Sequence, residues 1–600
     1  MDQANHPIPV RLDLLRQAMR RHGLDAYIVP SSDPHMSEYL PGRWQARRWL
    51  SGFRGSVATL AVTADFAGLW VDSRYWQQAE TELAGSGIEL MRVQSAGGTQ
   101  HVDYLADTLK PGQTVGVDGQ VIALASGRGI EAALAARGIG FKTGIDLLTE
   151  VWADRPALPT APIFEHLPPY ATVPRADKLA HVRSEMAKAG ADWHWISTLD
   201  DLAWVFNLRG ADVNYNPIFL GHALIGRDSA TLFVAPGKAP AEVVDSLKAD
   251  GISLADYSDI GTRLAQLPAG STLLVDPRRV ALGLFQQIAA GVKVVEAINP
   301  STFAKSMKRD DEAQHVRATM EQDGAALAEF FCWLEGALGK ERITELTIDE
   351  QITAARARRP GFITPSFGTI AGFNANGALP HYHATPESHA EIEGNGLLLI
   401  DSGGQYLGGT TDITRVVAIG TPSAEQKRDF TLVLKGMIAL TQAKFPRGTR
   451  SPLLDSIARA PIWADGINFG HGTGHGVGYF LNVHEGPQSI SPSTPPDAHT
   501  AMEPGMITSN EPGIYRPGRW GVRIENLLLN VPAGTTEFGE FLAFETLTLC
   551  PIDTRCVDRS ILREDEVTWL NDYHTMCRKR IAPLVSGDAL AWLEMRTAAI

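Results

Sequence analysis

The sequence predicts an α/β (α+β) architecture: two duplicated α/β domains followed by a larger mixed domain. Three observations predict it. The chain has 600 residues, too many for one hydrophobic core, because cores stop growing near about 250–300 residues. A helix–glycine–strand unit occurs twice in the first half. After residue 361 the texture changes to glycine-rich turns between short apolar strands.

The repeat sets the first two domains. Residues 11–29, RLDLLRQAMRRHGLDAYIV, align with 178–196, KLAHVRSEMAKAGADWHWI, at an offset of 167. Leu12 meets Leu179, Leu15 meets Val182, Met19 meets Met186, Gly23 meets Gly190 and Asp25 meets Asp192. Each copy reads as an amphipathic helix, a glycine stop and a short buried strand. Further on, GQTVGVDG at 112–119 faces GSTLLVDP at 270–277. The first domain is placed at 8–155 and the second at 156–304, the latter entered through the proline-rich stretch 156–175.

The third domain is placed at 305–600 and includes a short C-terminal helical extension. It opens on a long helical pattern, KSMKRDDEAQHVRATMEQDGAALAEFFCWLEGAL. Further helices are expected near 423–445, 451–460 and 563–580. The last fifty or so residues read as chemically quiet.

Composition narrows the function. Hydrophobic residues make up 44% and charged residues 20%, as in ordinary globular proteins. The net charge of −14 argues against nucleic acid as a partner, because such binding needs basic surface to replace counterions. No apolar run approaches the ~18–20 residues that span a bilayer, so no membrane role is expected. The N-terminal stretch lacks the pattern of a secretory signal, which leaves the cytoplasm as the expected location. The four cysteines, Cys332, Cys550, Cys556 and Cys577, follow no zinc-knuckle or CxxC spacing and are expected to be free thiols.

The chemistry collects in the third domain. GLLLIDSGG carries Asp401 and GGTTDITRVVAIG carries Asp412. A lone aspartate at a strand end is usually a turn former. Two of them eleven residues apart can lie side by side on antiparallel strands, and carboxylates held that close repel unless a cation lies between them. INFGHGTGHGVGYFLNVHEGP follows, with His471, His475 and His484. Its glycine density disfavours a helix, so it is not the helical HExxH motif, and no Lys-Ser/Thr follows to make a nucleotide loop. MITSNEPGIYRPGRWGVRIENLLLNV then presents Glu511 and Glu525. Glu525 reads as lying inside a buried strand, where a carboxylate needs a partner. Period-two alternation puts Arg523 on the same strand face, which fits either an ion pair or a metal carboxylate beside another anion. Four carboxylates and one imidazole suit two divalent ions, with Mn²⁺ favoured over structural zinc and Co²⁺ or Zn²⁺ also accepted by such ligands. Two ions ~3.5–4 Å apart hold a water, lower its pKa and polarise a carbonyl. The chemistry suggested is hydrolysis.

The five contexts IDSGG, TTDITR, GHGTGHGVG, SNEPGIY and VRIENLLL resemble the pita-bread metallopeptidases, which include methionine aminopeptidase, prolidase and aminopeptidase P. Residues 30–80 and LDDLAWVFNLRGADVNYNP at 199–217 narrow the resemblance to the three-domain, cytosolic-type aminopeptidase P family. It implies creatinase-like folds for the first two domains, a pita-bread catalytic domain and a homodimer. It implies hydrolysis of the bond between an N-terminal residue and a following proline, with a metal-bridging water as nucleophile and proline-containing peptides as partners. Asp401 would bind one metal, Asp412 and Glu525 would bridge the pair, and His475 and Glu511 would complete the second site. Glu511 would also be the general base. His381, in ALPHYHAT, would act near the scissile carbonyl or the leaving nitrogen. His484 would hydrogen-bond the substrate carbonyl, His471 would line the proline pocket and Arg523 would organise the cleft. Arg47 and Arg48 match a pair that reaches toward an active site across a dimer. His383 has no counterpart in the family pattern and reads as a surface residue. Prolidase, which acts on Xaa-Pro dipeptides, and a non-catalytic binding protein of the same fold are the alternatives. Methionine aminopeptidase is disfavoured by the long segment ahead of the catalytic domain.

Overall fold

The computed structural model describes residues 6–93 and 98–600. The chain divides into two compact units, one running up to Leu167 and resuming over Val173–Thr302, the other formed by Pro168–Thr172 and Phe303–Ile600.

The first unit holds two six-stranded sheets of the same topology. The first runs in the order Glu89–Arg92, Ala67–Val71, Thr59–Thr63, Ala26–Pro30, Thr114–Val117, Gly140–Lys142. The second runs Ile252–Asp256, Ala230–Val234, His222–Gly226, Trp193–Ile196, Thr272–Val275, Lys293–Glu296. Both sheets pair parallel at the ends and antiparallel around their third strand. The aspartate shared by the two repeats explains why it recurs. Asp25 accepts the backbone N–H of Thr114 at 2.8 Å, and Asp192 accepts that of Thr272 at 2.8 Å. In each copy it pins the entry of one strand to the start of its parallel neighbour.

Equivalent positions of the two repeats also touch each other. Ala123 and Ala281 form an antiparallel bridge. Around it Leu124 N–H donates to Val280 O at 3.0 Å, and Leu282 N–H donates to Ile122 O at 2.9 Å. This exchange is what a two-fold contact requires, and one continuous buried cluster links the two sheets, from Ile28 and Val117 to Trp195 and Leu273. Arg47 is a correction. It does not reach outward: it is 4% exposed and donates to Ser31 Oγ at 2.9 Å and to Phe53 O at 2.5 Å. A buried guanidinium is kept only where carbonyls satisfy it. Arg48 is exposed.

The second unit opens on helices Asp310–Ala337 and Glu345–Ala357. A three-stranded antiparallel sheet follows, Ile370–Phe373, Gly396–Ser402 and Ile413–Ile419. Helices Ala424–Thr441 and Asp455–Trp463 lie in the expected places. A six-stranded sheet includes Ile507–Asn510, Gly474–Gly476, Glu485–Ile490 and the long strand Asn526–Thr536. The C-terminal helix Glu564–Ile581 is less quiet than its sequence suggests. Its Tyr573 hydroxyl accepts from Arg415 Nη2 at 2.8 Å, and Arg415 Nη1 holds the backbone carbonyl of Glu525 at 2.7 Å. All four cysteines are free thiols.

Candidate metal centre

Asp401 lies on the middle strand of the three-stranded sheet, opposite Thr414. Asp412 immediately precedes the neighbouring strand, so the hairpin between them brings both carboxylates to one edge. His475 enters from the other sheet, on the strand Gly474–Gly476. That strand fits only because its flanking residues lack side chains. A Cβ on Gly474 would sit 1.9 Å from Ser509 O, and one on Gly476 2.0 Å from Glu485 O.

Glu525 corrects the strand reading. The strand Trp520–Arg523 belongs to a two-stranded sheet, and Asn526–Thr536 belongs to the six-stranded one. Glu525 occupies the break between them, its N–H bound to Thr414 O at 3.1 Å. Period-two alternation therefore does not carry across it. Arg523 turns to Asp401 instead, 2.6 Å from Oδ2, and Glu525 Oε2 accepts from Thr414 Oγ1 at 2.8 Å.

Asp412, His475 and Glu525 each bring one ligand atom to within 4.8 Å of the others. His475 Nε2 lies 3.5 Å from Asp412 Oδ2 and 3.5 Å from Glu511 Oε1. Its other nitrogen, Nδ1, contacts Gly476 O at 3.0 Å, which fixes the ring with Nε2 facing the carboxylates. That is the orientation a ligating imidazole needs.

The electrostatics point the same way. Burial raises Asp401 to about 7, against the pull of Arg523, with Asp412 and Glu511 adding to the rise. Burial and the neighbouring carboxylates raise Glu525 well above its ordinary value, and burial raises Glu511 against His475 and Arg523. Burial works against a charged His475, yet Asp412 and Glu511 lift it to about 9. The cluster holds more negative charge than its cations balance. Asp401 Oδ1 and Glu525 Oε1 are buried and make no hydrogen bond. Buried carboxylate oxygens left so are expensive. Divalent cations at these oxygens supply the missing partner, so the residues fit a metal centre.

The histidines stand around this cluster. His484 packs edge-on against His475, ring centroids 4.2 Å apart. His471 contacts Gly472 O through Nδ1 at 2.7 Å and Tyr515 OH through Nε2 at 2.8 Å. Tyr515 also accepts from Arg523 Nη1 at 2.6 Å. Arg523 thus links Asp401 to His471 through a tyrosine that the sequence reading passed over. The signal was in SNEPGIY, where the phenol follows the glutamate by four residues. His381 lies on the loop after Ile370–Phe373, and the carbonyl of the preceding Pro380 accepts from Arg523 Nη2 at 3.3 Å. His383 is exposed on the same loop.

Matches to known proteins agree with this fold. Residues 314–530 match the metallopeptidase family M24, and 540–600 match the C-terminal region of that family. Residues 11–148 and 154–312 each match a creatinase/prolidase N-terminal domain. The fold and the acidic cluster define a metallopeptidase of the pita-bread class. Aminopeptidase P2 of Arabidopsis thaliana is 40% identical, over 95% of this chain and 85% of that protein. Xaa-Pro aminopeptidase 1 of Dictyostelium discoideum is 35% identical, over 98% and 96%. The solved structure of an X-prolyl aminopeptidase from Caenorhabditis elegans, described as a cytosolic enzyme with a di-nuclear active site, superimposes with a TM-score of 0.94 at 32% identity, covering 99% of this chain and 100% of that one. This chain belongs to the aminopeptidase P family of M24 metallopeptidases. A Xaa-Pro dipeptidase from Bacillus anthracis, 23% identical, shares the fold over 63% of this chain and 99% of its own, with a TM-score of 0.50.

Proposed function

We propose that this chain is a two-metal Xaa-Pro aminopeptidase that releases the first residue of a peptide whose second residue is proline. The observation that carries the reading is the cluster of Asp412, His475 and Glu525 within 4.8 Å, inside a chain similar end to end to Xaa-Pro aminopeptidases. In this reading Asp401, Asp412, His475, Glu511 and Glu525 would hold two divalent ions, with Asp412 and Glu525 serving both. Bound there, such ions would supply an acidified water and polarise the scissile carbonyl.

The chain's own residues do the rest. Glu511 takes the proton from the attacking water. His484 donates to the substrate carbonyl as it becomes tetrahedral. An Xaa-Pro bond is a tertiary amide without an N–H, and like any amide nitrogen its nitrogen leaves only when protonated. Glu511 or His381 delivers that proton as the C–N bond breaks, freeing an amino acid and a peptide that begins with proline. His471, held by Tyr515, lines the proline side, and Arg523 keeps Asp401 and the His381 loop in place. We assign Mn²⁺ as the metal from the oxygen-rich ligand set. We also propose a homodimer, the cytoplasm as location, and the domain limits 8–155, 156–304 and 305–600. No helix among the described residues is long and apolar enough to cross a membrane.

Metal analysis of the purified protein, with assays of an Xaa-Pro dipeptide beside an Xaa-Pro-Xaa tripeptide, tests the reading. Two equivalents of metal and tripeptide cleavage are expected. Cleavage of the dipeptide alone would mean prolidase. A protein that binds no metal and cleaves neither peptide with Mn²⁺ supplied would be a binding protein.

A further inference from the structure

The loop that carries His381 is organised by one buried carboxylate. Glu345 begins the helix Glu345–Ala357 and is 1% exposed. Its Oε1 accepts from the backbone N–H of Phe373 at 2.7 Å and from Asn376 Nδ2 at 3.0 Å. Its Oε2 accepts from Tyr382 OH at 2.8 Å and from the backbone N–H of Ala390 at 2.7 Å. Four donors spread over residues 373–390 converge on one side chain. Two lie at the start of the loop, one is the neighbour of His381 and one is at its end.

The opposite side of the loop is fixed by backbone. Gly377 packs so closely on Gly521 that a Cβ on Gly521 would lie 1.7 Å from Gly377 O. Arg523 Nη2 holds Pro380 O. His381 and Tyr382 are adjacent, so the bond from Tyr382 to Glu345 sets where the His381 backbone stands. We infer that Glu345 is a positioning residue for the hydrolysis, acting through Tyr382 and the 373–390 loop to hold His381 at the substrate. This inference rests on the aminopeptidase reading of the site. A catalytic group misplaced by about 1 Å loses on the order of 100-fold in rate, so a carboxylate that gathers four of the loop's donors is a sensitive point.

The test is Glu345→Gln alone and in a His381→Ala background. Glutamine keeps the volume and one acceptor, but its amide N–H₂ cannot accept, so either Ala390 N–H or Phe373 N–H loses its partner. The expected result is a fall in kcat of about 10- to 100-fold with a smaller change in KM, cleaving an Xaa-Pro-Xaa tripeptide with Mn²⁺ supplied. In the His381→Ala background the same substitution is expected to change kcat by less than about threefold, because residues acting as one unit are not additive. Equal losses in both backgrounds, or no loss in either, would overturn the inference. Hydrogen exchange over 373–390 is expected to speed up in Glu345→Gln, and unchanged exchange there would also overturn it. If the unaltered chain cleaves no Xaa-Pro peptide, the aminopeptidase reading fails, while the exchange measurement still decides whether Glu345 holds the loop.

Discussion

Arg523 donates from Nη2 to Asp401 Oδ2 at 2.6 Å, and both side chains expose a tenth of their surface or less. The same guanidinium reaches Tyr515 OH at 2.6 Å, Thr414 Oγ1 at 3.2 Å and Pro380 O at 3.3 Å. One planar cation therefore ties together a carboxylate of the candidate metal centre, the phenol that holds His471 and the loop of His381. Arg523→Lys keeps the charge but offers a single ammonium in place of a rigid fork. Activity is expected to fall by about 10²-fold through lost orientation, with metal content kept near that of the parent. Steady-state kinetics and metal analysis of the variant check this. Near-parental kcat would show that the fork is dispensable.

Removing the metal is expected to destabilise the second unit. Without cations the orphaned oxygens of Asp401 and Glu525 stay buried without partners. A ligand that binds only the folded state adds RT ln(1 + [L]/Kd), about 2.7 kcal/mol at a hundredfold excess over Kd. Chelator-treated protein should melt lower and recover on adding Mn²⁺. The ligands must be deprotonated to bind, so the recovery should weaken as pH falls. Asp412→Asn is expected to bind fewer than two equivalents and to show a smaller recovery. Calorimetry at two metal concentrations reads all of this, and a melting temperature indifferent to metal would contradict it.

The acid sensitivity of the fold has named sources. Burial lowers His574 to about 4, with Arg415 adding to the fall, and burial lowers His194 to about 4. His574 Nε2 accepts from Ile552 N–H at 3.0 Å, so the neutral ring is the one the fold uses. The folded pKa lies below the unfolded value of about 6.5, so the unfolded chain binds protons first. The stabilising difference is present above pH 6.5 and is lost as pH falls toward 4, about 3 kcal/mol in all for each ring. His574→Gln keeps an acceptor and cannot titrate. Measured against the parent, its relative stability is expected to improve steadily from pH 6.5 to 4. Parallel curves in denaturant titrations would refute the assignment.

What the sequence made legible here was whatever repeats or follows a local period. The repeat with Asp25 and Asp192 announced two like sheets, and each aspartate makes the same strand-pinning bond. The aspartates of the candidate metal centre were legible because Asp401 and Asp412 flank one hairpin. Glu525 was legible as a candidate ligand but not as a strand break, because no local pattern shows where a chain passes from one sheet to another. Arg47 failed for a related reason. A guanidinium looks exposed in sequence, and only the carbonyls of Phe53 and Gly55, brought round by the fold, make burial tolerable. The C-terminal helix looked quiet because its contribution runs through two intermediaries, Tyr573 and Arg415, before it reaches Glu525. Glu345 gave no signal at all, since the four donors it serves are scattered over the loop.

Lys308 and Glu485 make the last case. Lys308 Nζ lies 2.5 Å from Glu485 Oε1 and 2.6 Å from Val477 O, and both side chains are fully buried. Val477 is two residues beyond His475, and Glu485 follows His484. The ammonium therefore joins the two segments whose imidazoles stand 4.2 Å apart. Lys308→Met removes the nearer of two lysines at Glu485, the other being Lys305 at 4.0 Å. Removing one member of a buried pair typically costs about 3–5 kcal/mol, whereas replacing both by apolar groups of like volume is often near neutral. Lys308→Met is expected to lose most of that range, and Lys308→Met combined with Glu485→Leu to regain at least half of it. Denaturant midpoints of the two variants measure the difference. Recovery of stability in the double variant with kcat still depressed would assign the pair to the spacing of His475 and His484. Recovery of both would leave it a fold element alone.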